Sequence, residues 1–399
     1  MVRHWRPHAL ALDLGAPGVR RASSDAAVYV TPALWLAAAL VAARFLPSVG
    51  WHEPWIDPDE SIFLGGGAGF SPVIGPLAGA LGVAGYLTLN AGIAMLLVTV
   101  AAALAREWGG EPARTAIAVA VAPALFWGVF VMPDLVGALG IVVWALALGR
   151  GRPWLAALVL ALAITVDVTF AAVAFGWLVA ALVLRAPLRP AIAGFGSAAL
   201  VALALLRFGE YTDVGHGGSP VVFALTAVGW GLLATALVLL PLVPVFAYGV
   251  RLAEPARLPL LAVGLATFIT AGYIGAGSAL HANARYGLPL AVLVLCALSR
   301  DGYRASARVL VWSCLVVLAV GIMTPADESE ALWIAAALSP AGYALALVLG
   351  GLAGRRGWPA FGLAMQSLVL VAVDLSNSGD VRQGLSIAAQ AAGRSSFGT

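Results

Sequence analysis

Apolar runs, one after another with only short polar clusters between them, set the limits of what this chain can fold into. They occupy roughly residues 28–46, 83–105, 115–131, 135–149, 154–166, 168–184, 191–207, 221–249, 258–276, 288–299, 309–323, 331–350 and 360–374. A helix that crosses a bilayer needs about 20 apolar residues. Several runs fall short of that, so their ends are soft. Their number nonetheless makes lipid the solvent for most of the chain. Composition agrees, because 62% of the residues are hydrophobic and only 10% are charged, against about 25% charged in a soluble domain. The predicted fold is all-α, a polytopic transmembrane helical bundle of about 12–13 spans.

Arginine orients the spans. The chain has 22 Lys+Arg residues, and every one of them is arginine. They sit in short clusters between apolar runs, which makes them topology signals and excludes a nucleic-acid surface. Arg106 and Arg114, Arg150 and Arg152, Arg185 and Arg189, Arg251 and Arg257, Arg300, Arg304 and Arg308, and Arg355 and Arg356 are predicted to be cytoplasmic. So is the N-terminal tail with Arg3, Arg6, Arg20 and Arg21. No small-residue cleavage site follows the first apolar run, which therefore reads as a retained span. Cys296 and Cys314 both fall in apolar runs, which argues against a disulfide framework.

Basic residues at both ends of 154–184 require the chain to reverse inside that stretch, near Asp167. The chain then divides into a cytoplasmic tail (1–27), a transmembrane core (28–300) with an outer loop at 47–76, further transmembrane helices (301–374) and a polar tail (375–399). The expected location is the plasma (inner) membrane, with the N-terminus cytoplasmic.

Most polar residues that are not topology signals fall on the opposite, outer face. The first outer loop reads Trp51-His52-Glu53-Pro54-Trp55-Ile56-Asp57-Pro58-Asp59-Glu60. A solvated acidic loop is the bland reading. The tryptophans and prolines favour a folded surface at the membrane interface, where paired carboxylates suit base catalysis or metal binding. Met132-Pro133-Asp134 opens a later run. Asp134 is either a functional ionisable group near membrane depth or a helix N-cap. The third element is His281-Ala282-Asn283-Ala284-Arg285-Tyr286-Gly287-Leu288-Pro289. Arg285 is the one arginine assigned to an outer loop between spans, against the positive-inside pattern. Its fork of donors suits a phosphate, and snorkelling to lipid headgroups is the alternative.

These motifs, taken in order, resemble the GT-C superfamily of polyprenyl-phosphate-sugar-dependent membrane glycosyltransferases. The shared features are a loop ending in Asp59-Glu60 after the first span, Pro133-Asp134 opening a helix, and a helical reversal with a polar tip at Asp167-Val168-Thr169. The Arg285-Tyr286-Gly287-Leu288-Pro289 element at a late span completes the set. The likeness is greatest to the protein O-mannosyltransferase and aminoarabinose-transferase-like branch, and it covers roughly residues 28–300 by order and spacing. Two departures stand out. Relatives often carry a lysine at the reversal, where this chain has Asp167, and the large C-terminal soluble domain of some members has no counterpart.

The resemblance implies a short outer-face loop and juxtamembrane-helix region after the first span, with an extracytoplasmic active site. It further implies a sugar donor linked through phosphate to a polyprenol, and an acceptor that is a lipid, a glycan or a protein. Asp59 is implied as the general base, with Glu60 beside it. Arg285, helped by His281 and Tyr286, is implied to hold the departing phosphate. Glu60, Asp57 and Asp134 are implied to orient the acceptor or hold a divalent cation, and His52, Glu53 and Asp167 join the substrate-binding set. Glu210, Tyr211, Asp213 and His216 read as a solvated loop. The rival class is a secondary transporter that uses Asp134 and Asp167 as ion or proton sites.

Overall fold

The structure is a computed structural model that describes residue 71 and residues 73–110, 112–120, 133–208, 220–239, 254–275 and 287–298. Within these residues the chain is helical and contains no strand. We number the helices α1 (Ile74–Glu107), α2 (Pro112–Ala120), α3 (Asp134–Gly149), α4 (Pro153–Val166), α5 (Ala171–Val183), α6 (Leu188–Phe208), α7 (Pro220–Leu239), α8 (Glu254–Gly275) and α9 (Leu288–Leu298). A single turn of 3-10 helix, Val168–Phe170, joins α4 to α5.

Every helix falls on one of the predicted apolar runs, because in lipid the backbone must satisfy its own hydrogen bonds and the helix does this locally. Among the described residues, three segments are long and apolar enough to cross a membrane: Gly85–Glu107, Leu188–Leu205 and Glu254–Tyr273. Large apolar side chains point outward along these helices and their neighbours. Leu200 is 71% exposed and Leu162 59%. Such a surface is solvated by acyl chains rather than water, and the chain is a helical membrane protein.

Neighbouring helices form a path in the order α2, α1, α3, α4, α6, α5, α8, α7, and α9 touches α1, α2, α3, α7 and α8 from within. Helix α9 (Leu-Pro-Leu-Ala-Val-Leu-Val-Leu-Cys-Ala-Leu) is apolar all round, as a helix surrounded by protein should be. Its Cys296 thiol donates to the Ala101 carbonyl of α1 at 3.4 Å. The Trp144 and Trp177 rings, from α3 and α5, meet edge-on with centroids 5.8 Å apart.

Two details differ from the sequence reading. The span predicted to start near residue 83 is preceded by a helical segment from Ile74, and Gly82 breaks the two apart with φ 64° and ψ −179°. A residue with a Cβ resists that φ, so glycine is the residue that permits the break. The segment before it is helical where a loop to residue 76 was expected. Secondly, the reversal near Asp167 is present, but α4 and α5 hardly pack on each other. They splay, and α6 fills the space between them: a Cβ on Gly194 of α6 would stand 2.6 Å from the Trp177 ring of α5 and 3.6 Å from Ala157 of α4.

The loop regions that carry most of the expected site, together with the predicted spans 28–46, 309–323, 331–350 and 360–374, lie outside the described residues.

Candidate functional site

Helix direction sorts the polar residues onto two ends of the bundle. Glu107, Arg150, Arg152, Arg185 and Arg189 lie at helix ends on one side, where Arg150 Nε and Glu107 stand 3.8 Å apart on half-exposed side chains. Such a pair contributes about 0–1 kcal/mol. This is the side the arginine pattern assigns to the cytoplasm. The other side gathers the start of α1, the start of α3, the α4–α5 turn, the C-terminal part of α8 and the start of α9. The exposed Arg207, in the last turn of α6, also belongs to this side by the direction of its helix. There it complements the helix dipole.

Ser71 fixes one corner. Its hydroxyl accepts the Ile74 N–H at 3.2 Å, capping the first turn of α1, and donates to the Val166 carbonyl at the end of α4. Both groups belong to helix termini, whose backbone polar atoms have no partner within their own helix. Ser71 is fully buried. The end of the first outer loop is thereby attached to the α4–α5 turn.

Asp167 completes that turn. The backbone leaves α4 at Asp167 in an extended conformation, and the carboxylate accepts the Thr169 N–H at 2.8 Å. This is the capping geometry that the sequence offered for Asp134. Asp134 instead is the first residue of α3, after the cap position at Pro133. Its charge is favoured there by the positive end of the helix dipole. It is 7% exposed and within electrostatic reach of Tyr86 on α1, which is fully buried.

Asp134 lines a small pocket with Thr169, Phe170, Val173, Val263, Ala266, Thr267, Thr270 and Pro289. The pocket has room for about one water-sized group. Gly137 permits the Phe170 ring to lie flush on α3, since a Cβ at 137 would overlap that ring. Three predicted motifs therefore meet here. Pro133-Asp134 supplies the carboxylate, Asp167-Val168-Thr169 supplies a threonine, and Pro289 closes the element that contains Arg285. Asp167 itself is next to the pocket in sequence and is not among its lining residues.

Of the other expected site residues, His52, Glu53, Asp57, Asp59, Glu60, His281, Arg285 and Tyr286 lie outside the described residues. Among the described residues no three His, Cys, Asp or Glu side chains come together as a metal site. Thr267 and Thr270 were not singled out in the sequence. Their signal was a spacing of 263, 266, 267 and 270 on one helix, which marks one face, but within an apolar run two threonines read as ordinary helix polarity. Comparison with known proteins gives no match: no family model, no curated protein and no solved structure is similar to this chain.

Proposed function

We propose that this protein is an integral-membrane inverting glycosyltransferase that moves a sugar from a polyprenyl-phosphate donor to an acceptor hydroxyl. The observation that carries the reading is convergence. Motifs far apart in the chain, Pro133-Asp134, the Asp167–Thr169 turn and the start of α9 at Pro289, border one largely apolar pocket that holds a carboxylate and three threonines. The end of the Asp59-Glu60 loop, through Ser71, is bonded to the same turn. A donor held in the bilayer by its polyprenol reaches such a site between the helices from the lipid side.

In this reading Asp59 takes the proton from the acceptor hydroxyl as its oxygen attacks the anomeric carbon. The bond from that carbon to the phosphate oxygen breaks on the opposite side, and the electron pair leaves with the polyprenyl phosphate. Arg285 stabilises the charge that grows there. Asp134 orients a hydroxyl of the bound carbohydrate. The site faces outward from the cell because the arginine pattern assigns the other end to the cytoplasm.

A second reading, the transporter, draws on the helix break beside a buried carboxylate. One observation weighs against it: the Asp167 carboxylate is engaged in capping. The experiment uses the protein in lipid with radiolabelled polyprenyl-phosphate sugars and a membrane extract as acceptor source. Transfer by the unaltered protein, lost in Asp59→Asn and in Arg285→Ala while both remain folded, supports the transferase. No transfer, with solute flux in sealed vesicles that depends on Asp134, overturns it in favour of the transporter.

A further inference from the structure

The pocket between α3, the α4–α5 turn, α8 and α9 has a chemistry more specific than its polarity. Two helices present their N-terminal ends to it, α3 through Asp134 and α9 through Pro289, while the turn before α5 is capped by the Asp167 carboxylate at the Thr169 N–H. Each such end carries roughly half a positive elementary charge. The Asp134 carboxylate supplies one negative charge to the same space. A cation would meet two positive helix ends, and a phosphate would meet the carboxylate. A neutral ligand group with both a donor and an acceptor meets neither penalty.

The remaining polar lining is hydroxyl. Thr267 is 3% exposed, lines the pocket, and makes no hydrogen bond among the described residues. Other threonines of these helices bond back to their own backbone, as Thr99 does to Met95 and Thr165 to Leu162. Without that bond the hydroxyl keeps its donor and acceptor capacity for a group in the pocket. The pocket admits a group the size of a water, which is also the size of one hydroxyl.

Resting on the transferase reading above, we infer that this pocket receives a single hydroxyl group of the bound carbohydrate, donating to the Asp134 carboxylate and bonded to Thr267, and that Thr267 thereby sets which sugar is used. Thr267 is a specificity residue and takes no part in proton transfer. The source of the hydroxyl is either the transferred sugar or the acceptor, and the two separate by experiment.

The test compares the unaltered protein with Thr267→Val, which keeps the shape and removes the hydroxyl, Thr267→Ser, which keeps the hydroxyl, and Thr267→Ala as a smaller alternative should valine disturb folding. Each is assayed with polyprenyl-phosphate sugars and their monodeoxy counterparts, and with varied acceptor concentration. If the hydroxyl belongs to the donor, the unaltered protein discriminates against one deoxy position, and Thr267→Val compresses that ratio roughly 10–100-fold while Thr267→Ser restores it. If it belongs to the acceptor, Thr267→Val raises KM for the acceptor by a similar factor and leaves donor discrimination unchanged. An equal effect of Thr267→Val on every sugar and on both substrates, or no effect, overturns the assignment with the transferase reading intact. Absence of transfer by the unaltered protein overturns both.

Discussion

The Ser71 hydroxyl donates to the Val166 carbonyl, 95 residues further along the chain. The same oxygen caps α1 through the Ile74 N–H at 3.2 Å. One small side chain thus satisfies two helix ends belonging to different elements, one after the acidic loop and one before the Asp167 turn. The contact joins the segment carrying the proposed base to the pocket carrying Asp134.

Ser71→Ala removes both bonds at a fully buried position. Loss of an N-cap costs about 0.5–2 kcal/mol, and the Val166 carbonyl is left without this donor. The expected result is a lower unfolding temperature in lipid or detergent. Sugar transfer should fall by more than the loss of folded protein accounts for, because the loop loses its attachment to the pocket. Ser71→Thr keeps the hydroxyl and should retain most of both. An alanine variant that unfolds and transfers like the unaltered protein would show that the bond positions nothing.

Asp167 offers a sharper discrimination between the two functional readings. Its carboxylate accepts the Thr169 N–H at 2.8 Å, and an asparagine oxygen can accept the same bond. Asp167→Asn should therefore leave stability nearly unchanged, while Asp167→Ala should cost about 1 kcal/mol. Under the transferase reading Asp167→Asn retains transfer. A transporter that uses Asp167 as its proton site would lose flux in Asp167→Asn, since an amide does not titrate. Thermal unfolding and vesicle flux on the two variants decide the point.

How much of this was legible in the sequence follows from what lipid demands. Apolar runs had to be helices, so the ends of α3, α4, α6, α8 and α9 are read to within a few residues of where they fall. Pro133-Asp134 and the Asp167 turn were visible because a charge inside an apolar run has few explanations. That Asp167 caps and Asp134 does not was hidden, because the sequence shows which residues are able to cap and not which peptide first turns helical. The splay of α4 and α5 was hidden for another reason. It depends on Gly194 admitting the Trp177 ring, a contact between helices that leaves no periodic trace. Thr267 and Thr270 were not singled out, because their pocket exists only through the approach of α3, the α4–α5 turn and α9.

Gly137 tests the pocket from its wall. A Cβ there would overlap the Phe170 ring, and that ring is one of the pocket's lining residues. A side chain can yield where a backbone cannot. Gly137→Ala should thus cost about 1–3 kcal/mol through a displaced Phe170. Combining it with Phe170→Leu should recover part of the loss, a coupling that a double-mutant cycle measures directly. Strict additivity of the two changes would mean that the ring does not rest on Gly137.

The close approach of α8 to α5 and α7 gives the last prediction its contrast. A Cβ on Gly176 of α5 would strike the Ala262 carbonyl of α8, and one on Gly272 of α8 would strike the Ala227 carbonyl of α7. These neighbours are backbone, so the helices themselves must separate, and small residues are what allows membrane helices to come so near. Gly264, on the same helix α8, meets nothing within 4 Å among the described residues. Gly176→Ala and Gly272→Ala should each destabilise by about 1–3 kcal/mol. Gly264→Ala should be neutral or stabilise by up to about 1 kcal/mol, because alanine is the better helix former. Unfolding temperatures for the three variants in one lipid composition give the comparison. If Gly264→Ala proved as damaging as Gly176→Ala, a further element would have to cover that face of α8.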